Sequence, residues 1–248
     1  MSGPRRSPQP KASSNSECGL LDAEFLILKS EICNLKFEIE RERMTPRIVI
    51  IDYGMGNLRN VQKGFEKIGF EATLTRNKRE IGRASAIVLP GVGAFKDCME
   101  NLERYGLIDP LLQSIQKGKP YLGICLGLQI LFSESEEFGA CKGLDLIKGR
   151  VVKFQPDPEH KVPHMGWNTI EKVKEVPMLQ GVENGDFFYF VHSYYVIPEE
   201  KQWTSTVTSY GSPFASSIWK ENLFATQFHP EKSQKKGLRI LENFVNSI

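Results

Sequence analysis

No run of about 18 apolar residues occurs in the 248-residue sequence, so no segment reads as a membrane-crossing helix. An excess of charge is missing as well. The 32 basic and 30 acidic residues leave a formal +2 with no strongly basic stretch, which gives nucleic acid no footprint. The five cysteines (Cys18, Cys33, Cys98, Cys125 and Cys141) are an odd number without C-x-x-C or Cys/His ligand spacing. That pattern argues against a disulfide framework and against a zinc site, and it fits a reducing, cytoplasmic compartment. A dinucleotide loop is also incomplete: Gly54 and Gly56 begin a G-x-G-x-x-G, but position 59 is Arg. Neither a metal nor a cofactor is expected.

What is present suits a soluble globular protein: 40% hydrophobic and 25% charged residues, with length for one sizeable α/β domain and an appendage. Residues 1–43 differ from the rest. Residues 1–16 carry three prolines, five serines and only basic charges, a composition unable to bury a core and expected to be disordered. Leu21, Phe25, Leu28, Ile32, Leu35 and Ile39 then recur at spacings of four and three, which predicts an amphipathic helix with a heptad-like stripe. Met44 opens what reads as the fold proper, so the chain divides into an extension, 1–43, and a domain, 44–248.

Residues 47–52 (Arg-Ile-Val-Ile-Ile-Asp) have the β-branched character of a central parallel strand. A helix over 58–68, capped by Asn57 and ended by Gly69, follows. Further strands at 71–75 and 85–89, then helices at 94–104 and 107–116, lead to a strand at 121–124. The alternation implies a doubly wound parallel sheet with functional residues at the carboxyl ends of its strands. Beyond residue 149 the strands are shorter and alternating, at 149–154, 168–172, 187–197, 204–210, 215–219 and 224–228. They add antiparallel strands, so the fold class is α/β, a doubly wound mixed sheet flanked by helices. A closing helix over 234–248 is expected to bury Leu238, Leu241 and Phe244.

The join between the strand at 121–124 and a helix expected over 126–132 is Gly123-Ile124-Cys125-Leu126-Gly127. G-x-C-x-G is a nucleophile elbow with sulfur in place of the serine oxygen. A thiol at a helix N-terminus faces unpaired N–H groups, which favour the thiolate. On its own the motif fits a small buried side chain equally well. Two other stretches bear on the choice. Pro90-Gly91-Val92-Gly93 follows a strand and can aim backbone N–H groups past its end, where an oxyanion hole would lie. Pro230 holds His229 extended, and in an extended chain Glu231 projects to the same side, pairing an imidazole base with an orienting carboxylate. The acidic run at 134–137 reads mainly as a solvated helix end.

Taken together these residues resemble the class I (triad) glutamine amidotransferases. Asp52-Tyr53-Gly54-Met55-Gly56-Asn57, Pro90-Gly91-Val92-Gly93-Ala94-Phe95 and His164-Met165-Gly166-Trp167-Asn168 narrow the resemblance to the glutaminase subunits of imidazole glycerol phosphate synthase. Tyr189-Phe190-Val191-His192-Ser193-Tyr194 and Phe228-His229-Pro230-Glu231-Lys232-Ser233 agree with it. The elbow and the His-Pro-Glu run would equally fit triad glutaminases of other pathways, and a silent scaffold on this fold or a cysteine peptidase is a further alternative.

The resemblance implies a flavodoxin-like core and hydrolysis of L-glutamine to glutamate and ammonia. Cys125 would be the nucleophile, His229 the proton carrier and Glu231 its orienter. Gln129 and Glu137, with the backbone around His192, Ser193 and Tyr194, would bind glutamine. The N–H of Leu126 and one from Gly91, Val92 or Gly93 would meet the oxyanion, the latter after reorientation. A (β/α)₈-barrel cyclase subunit is the implied partner, expected as a separate chain because this one ends after its closing helix. Asn57, Trp167 and Lys232 are the implied contact residues. Residues 1–43 match nothing in this pattern.

Overall fold

The computed structural model describes residues 46–155 and 158–248, with Gly3 and Lys29 besides. Pro46–Ile248 forms one unit; the heptad-like stripe of the extension lies outside the described residues. In chain order the elements are β1 (Ile48–Ile51), α1 (Leu58–Lys67), β2 (Ala72–Thr75), α2 (Lys78–Arg83), β3 (Ala86–Gly91), α3 (Phe95–Arg104) and α4 (Ile108–Gln116). Then come β4 (Tyr121–Cys125), α5 (Leu126–Gln129), β5 (Phe132–Ser135), β6 (Cys141–Lys142), β7 (Ile147–Lys153), β8 (His164–Thr169) and β9 (Glu171–Lys172). The remainder is β10 (Phe187–His192), β11 (Tyr194–Pro198), β12 (Thr204–Tyr210), β13 (Ser212–Lys220), β14 (Leu223–Thr226) and α6 (Gln234–Asn246).

Strands β2-β1-β3-β4-β14 run parallel, in the order of a flavodoxin-like core. The sheet continues through β13, β11 and β7, paired antiparallel, to β5 and β6. Alternation along β1 explains the layers. Val49 and Ile51 pack on one face with Leu102 of α3 and Leu111 of α4, whereas Ile48 and Ile50 pack on the other with Val61 and Phe65 of α1 and Leu241 and Phe244 of α6. Both faces of the inner parallel strands are covered, so β1, at Ile48–Ile51, is apolar throughout, whereas the edge strand β2 exposes Thr73.

The structure departs from the sequence reading in several places. Lys78–Arg83 forms α2, which hydrophobic periodicity does not signal because Ile81 is its one buried residue. The helix after Cys125 is a single turn, and Phe132–Ser135 turns back into the sheet as β5. The acidic run is therefore a strand end and turn. Asn57 occupies the N-cap of α1 but makes no side-chain capping hydrogen bond. Leu238 is only partly buried, and Ile240 takes the covered position beside Leu241 and Phe244. The segment 187–197 is two strands that part at Ser193: β10 pairs with β8 as a separate two-stranded sheet, while β11 joins the main one.

Candidate active site

Strand β4 delivers Cys125 to the carboxyl edge of the sheet, level with Gly91 at the end of β3. Cys125 itself makes the sharp turn, at φ 56° and ψ −103°, a region that costs a non-glycine residue on the order of 1–3 kcal/mol. The flanking glycines serve a different need from chain reversal. A Cβ on Gly127 would run into the Leu89 carbonyl, and one on Gly123 into Gly127, so the elbow exists because these backbones touch. With only four residues, α5 contributes little dipole, and the expectation that it holds the thiolate gives way to the neighbouring side chains.

Strand β14 brings the second component. His229 follows it in extended conformation (φ −101°, ψ 97°), and its N–H donates to the Tyr189 carbonyl. Pro230–Lys232 then forms a 3₁₀ turn, so Glu231 reaches the ring by a tight turn and not along an extended chain. Glu231 Oε1 lies 2.8 Å from His229 Nδ1, and both side chains are nearly inaccessible to solvent. Nε2 has no hydrogen-bond partner and is the nitrogen open to Cys125, whose thiol lies 3.9 Å from the Val191 carbonyl it donates to. Burial disfavours a charged ring, but the Cys125 sulfur and the Glu231 carboxylate outweigh it and raise the His229 pKa to about 10.

A cavity of about 440 Å³ opens beside the sulfur, a size suited to a small polar molecule. Cys125, Leu126, Gln129 and Glu137 line one side; His192, Ser193 and Tyr194 line another. Val92, Gly93 and Lys232 complete the rim, while Gly91 stays behind it in the sheet, paired with Cys125. Glu137 Oε2 accepts from the Phe95 N–H at 2.6 Å, which ties the residue to the start of α3. Burial raises its pKa, against the Phe95 hydrogen bond. Leu126 is the first residue of α5, so its N–H has no intrahelical acceptor.

At the cavity mouth, Lys232 Nζ stands 5.4 Å from the centre of the Tyr189 ring, and the Tyr189 and Trp167 rings meet edge to face with centres 6.1 Å apart. Trp167 is 47% exposed and Met165 62%, on the free side of the β8–β10 pair. Asn57 is exposed in the loop before α1.

One neighbour of the sulfur escaped the sequence reading. Gln227, fully buried, donates from Nε2 to Cys125 Sγ at 3.5 Å. It lies two residues before His229, and that spacing was the available signal. No group of three or more His, Cys, Asp or Glu side chains able to hold a metal ion occurs among the described residues.

Fold and site together define the class, for the model of the class I glutamine amidotransferases matches residues 49–248 and the chain belongs to that family. A PurLQS structure from Thermotoga maritima superposes with a TM-score of 0.66 at 18% identity, covering 82% of this chain and 99% of that one, a likeness of fold. The imidazole glycerol phosphate synthase subunit HisH of Syntrophotalea carbinolica is 54% identical over 202 residues, 79% of this chain and 98% of its own length. HisH of Geobacter sulfurreducens is 52% identical over 203 residues, 80% and 97%. Within the family, the chain is a HisH-type glutamine amidotransferase subunit of imidazole glycerol phosphate synthase.

Proposed function

We propose that Cys125, His229 and Glu231 hydrolyse L-glutamine in the 440 Å³ cavity and that the ammonia passes to a cyclase subunit of (β/α)₈-barrel form. The thiolate attacks the side-chain amide carbon, and the carbonyl oxygen takes the negative charge. The Leu126 N–H and one from the Val92–Gly93 turn meet that oxygen; losing one such donor typically costs roughly 10²-fold or more in rate. His229 gives its Nε2 proton to the departing nitrogen as the C–N bond breaks, leaving a thioester on Cys125 and free ammonia. It then takes a proton from water, whose hydroxide releases glutamate and regenerates the thiolate. Glu231 holds Nδ1 protonated throughout, so Nε2 always faces the reaction.

Glutamine fits the remaining walls by charge. Its ammonium meets Glu137 and Gln129 Oε1, the acceptor left once the Gln129 NH₂ is engaged, and its carboxylate meets the backbone N–H groups of the 192–194 turn. The observation that carries this reading is the sulfur at the wall of a cavity that Gln129, Glu137 and residues 192–194 also line, backed by a histidine whose other nitrogen is held by a carboxylate. The exposed Met165 and Trp167, with Lys232 and Asn57, supply the docking face, and the enzyme works in the cytoplasm. No described helix is long and apolar enough to cross a membrane.

The decisive measurement is glutamine hydrolysis with and without a cognate cyclase and its nucleotide ligand. Turnover that is slow alone and fast in the complex supports the reading; rapid partner-free turnover, or peptide cleavage, overturns it. We further propose that the catalytic unit begins near Met44 and that 1–43 is an upstream extension. A chain starting at Met44 then keeps full activity with the cyclase.

A further inference from the structure

Two buried hydrogen-bond arms meet at one backbone acceptor, the carbonyl of Tyr194. From one side Gln129 Nε2 donates to it at 2.9 Å, and from the other His192 Nδ1 lies 2.9 Å away. A carbonyl oxygen only accepts, so this one atom sets the orientation of everything beyond it.

Along the first arm, Gln129 must present its NH₂, whose second hydrogen goes to Gln227 Oε1 at 3.2 Å. Gln227 must then present Nε2 to the Cys125 sulfur, where it stands at 3.5 Å. Along the second arm, His192 must carry its hydrogen on Nδ1. A neutral ring then has a bare Nε2, and His164 Nδ1 supplies a hydrogen to it at 3.0 Å. His164 Nε2 is bare in turn and accepts from Asn168 Nδ2 at 3.2 Å. Asn168 cannot be turned over, because Nδ2 also donates to the Ser209 carbonyl and Oδ1 accepts from the Thr169 N–H. Each link therefore has one allowed sense, and a proton added to either ring would set two donors against each other.

We propose that Gln227 is a further catalytic residue, a donor that steadies the Cys125 sulfur, and that the neutral His164–His192 pair positions it through the Tyr194 carbonyl and Gln129. Gln227 touches the reacting atom; the two histidines act only through others. Besides Gln227, the groups around the sulfur are His229, with Glu231 behind its ring, Tyr53 from the loop after β1, the Val191 carbonyl at 3.9 Å, and Glu137 and Lys232 in the lining of the same cavity. Gln227 is the neutral side chain with a hydrogen bond donated to the sulfur. The surroundings keep both rings of the second arm uncharged: burial, with neighbouring imidazoles, pulls His192 down to about 3 and His164 to about 4. The second arm begins at Asn168, the chain neighbour of the exposed Trp167 on strand β8.

The proposal rests on reading Cys125 as the nucleophile, yet its tests use the full-length chain without glutamine. First, nitrogen NMR of the unmodified protein at pH 7 should show His164 and His192 as neutral Nδ1–H tautomers, the minor form of free imidazole. An Nε2–H tautomer or a protonated ring at either position overturns the positioning arm. Second, the pH profile of Cys125 alkylation by iodoacetamide, read by mass on the Cys125 peptide, should move up by about one pH unit in Gln227→Met, the size of a hydrogen bond to a charged atom. Gln227→Glu, which places an acceptor against the sulfur, should move it further. Unchanged midpoints in both variants overturn the role of Gln227. Glutamine hydrolysis can fail while both results hold, which separates the two readings.

Discussion

Two buried histidines stand near the same cavity, His192 in its wall and His229 behind Cys125, and one is charged where the other is neutral. His229, at the end of β14, is 2% exposed and titrates at about 10; His192, at the end of β10, is 6% exposed and titrates at about 3. Burial pushes both downward. The difference lies in the partners: His229 has a sulfur and a carboxylate, while His192 has a carbonyl on one nitrogen and another imidazole on the other. A buried imidazole becomes an acid when anions face it and a rigid neutral spacer when dipoles do. Anions therefore hold a proton on His229, and dipoles keep one off His192.

The sharpest way to break the contrast is to remove the anion. Cys125→Ala should lower glutamine hydrolysis on the order of 10⁶-fold, leave ammonia-dependent synthesis by the complex intact, and pull the His229 titration down toward that of His192 in an NMR titration. Loss of both activities would indicate misfolding. Glu231→Gln is expected to cost roughly 10⁴-fold in kcat, since the ring loses its orienter, with KM little changed in steady-state assays. Trp167→Ala, on the surface beyond the His164–His192 pair, should weaken cyclase binding about thirtyfold by calorimetry, as the loss of an aromatic anchor does, without altering Cys125 alkylation.

The smallest effects come with pH. The His229 pKa is raised above its ordinary 6.5 to about 10, so its contribution to stability is complete below 6.5 and is lost as pH rises through about 10. Alkaline denaturation profiles should show that decline, and kcat should fall over the same upper range as the proton donor disappears. On the acid side the raised Glu137 should make KM climb earlier than an ordinary glutamate would.

How much of this was legible in the chain depended on whether a signal was local. The strands β1, β3 and β4 announce themselves because both faces of a parallel sheet are covered, leaving runs such as Ile48–Ile51 wholly apolar. The elbow was visible because close backbone contact at Gly123 and Gly127 excludes a side chain. The short helix Lys78–Arg83 left no trace, for one buried residue makes no period. The break at Ser193 was equally silent, since whether a strand joins β8 or β7 depends on partners distant in sequence.

By its sequence alone the chain determined the doubly wound half of the fold, the turn that exposes Cys125 and the short run that holds His229 and Glu231. All of these follow from neighbours in the chain, through side-chain size, backbone freedom and polarity. The tertiary structure decided the rest: a single-turn helix too short to hold the thiolate, a charged His229 facing a neutral His192, and Gln227 against the sulfur. Charge state and hydrogen-bond sense depend on what lies within a few ångströms in space, and folding brings those groups together from segments as much as about a hundred residues apart.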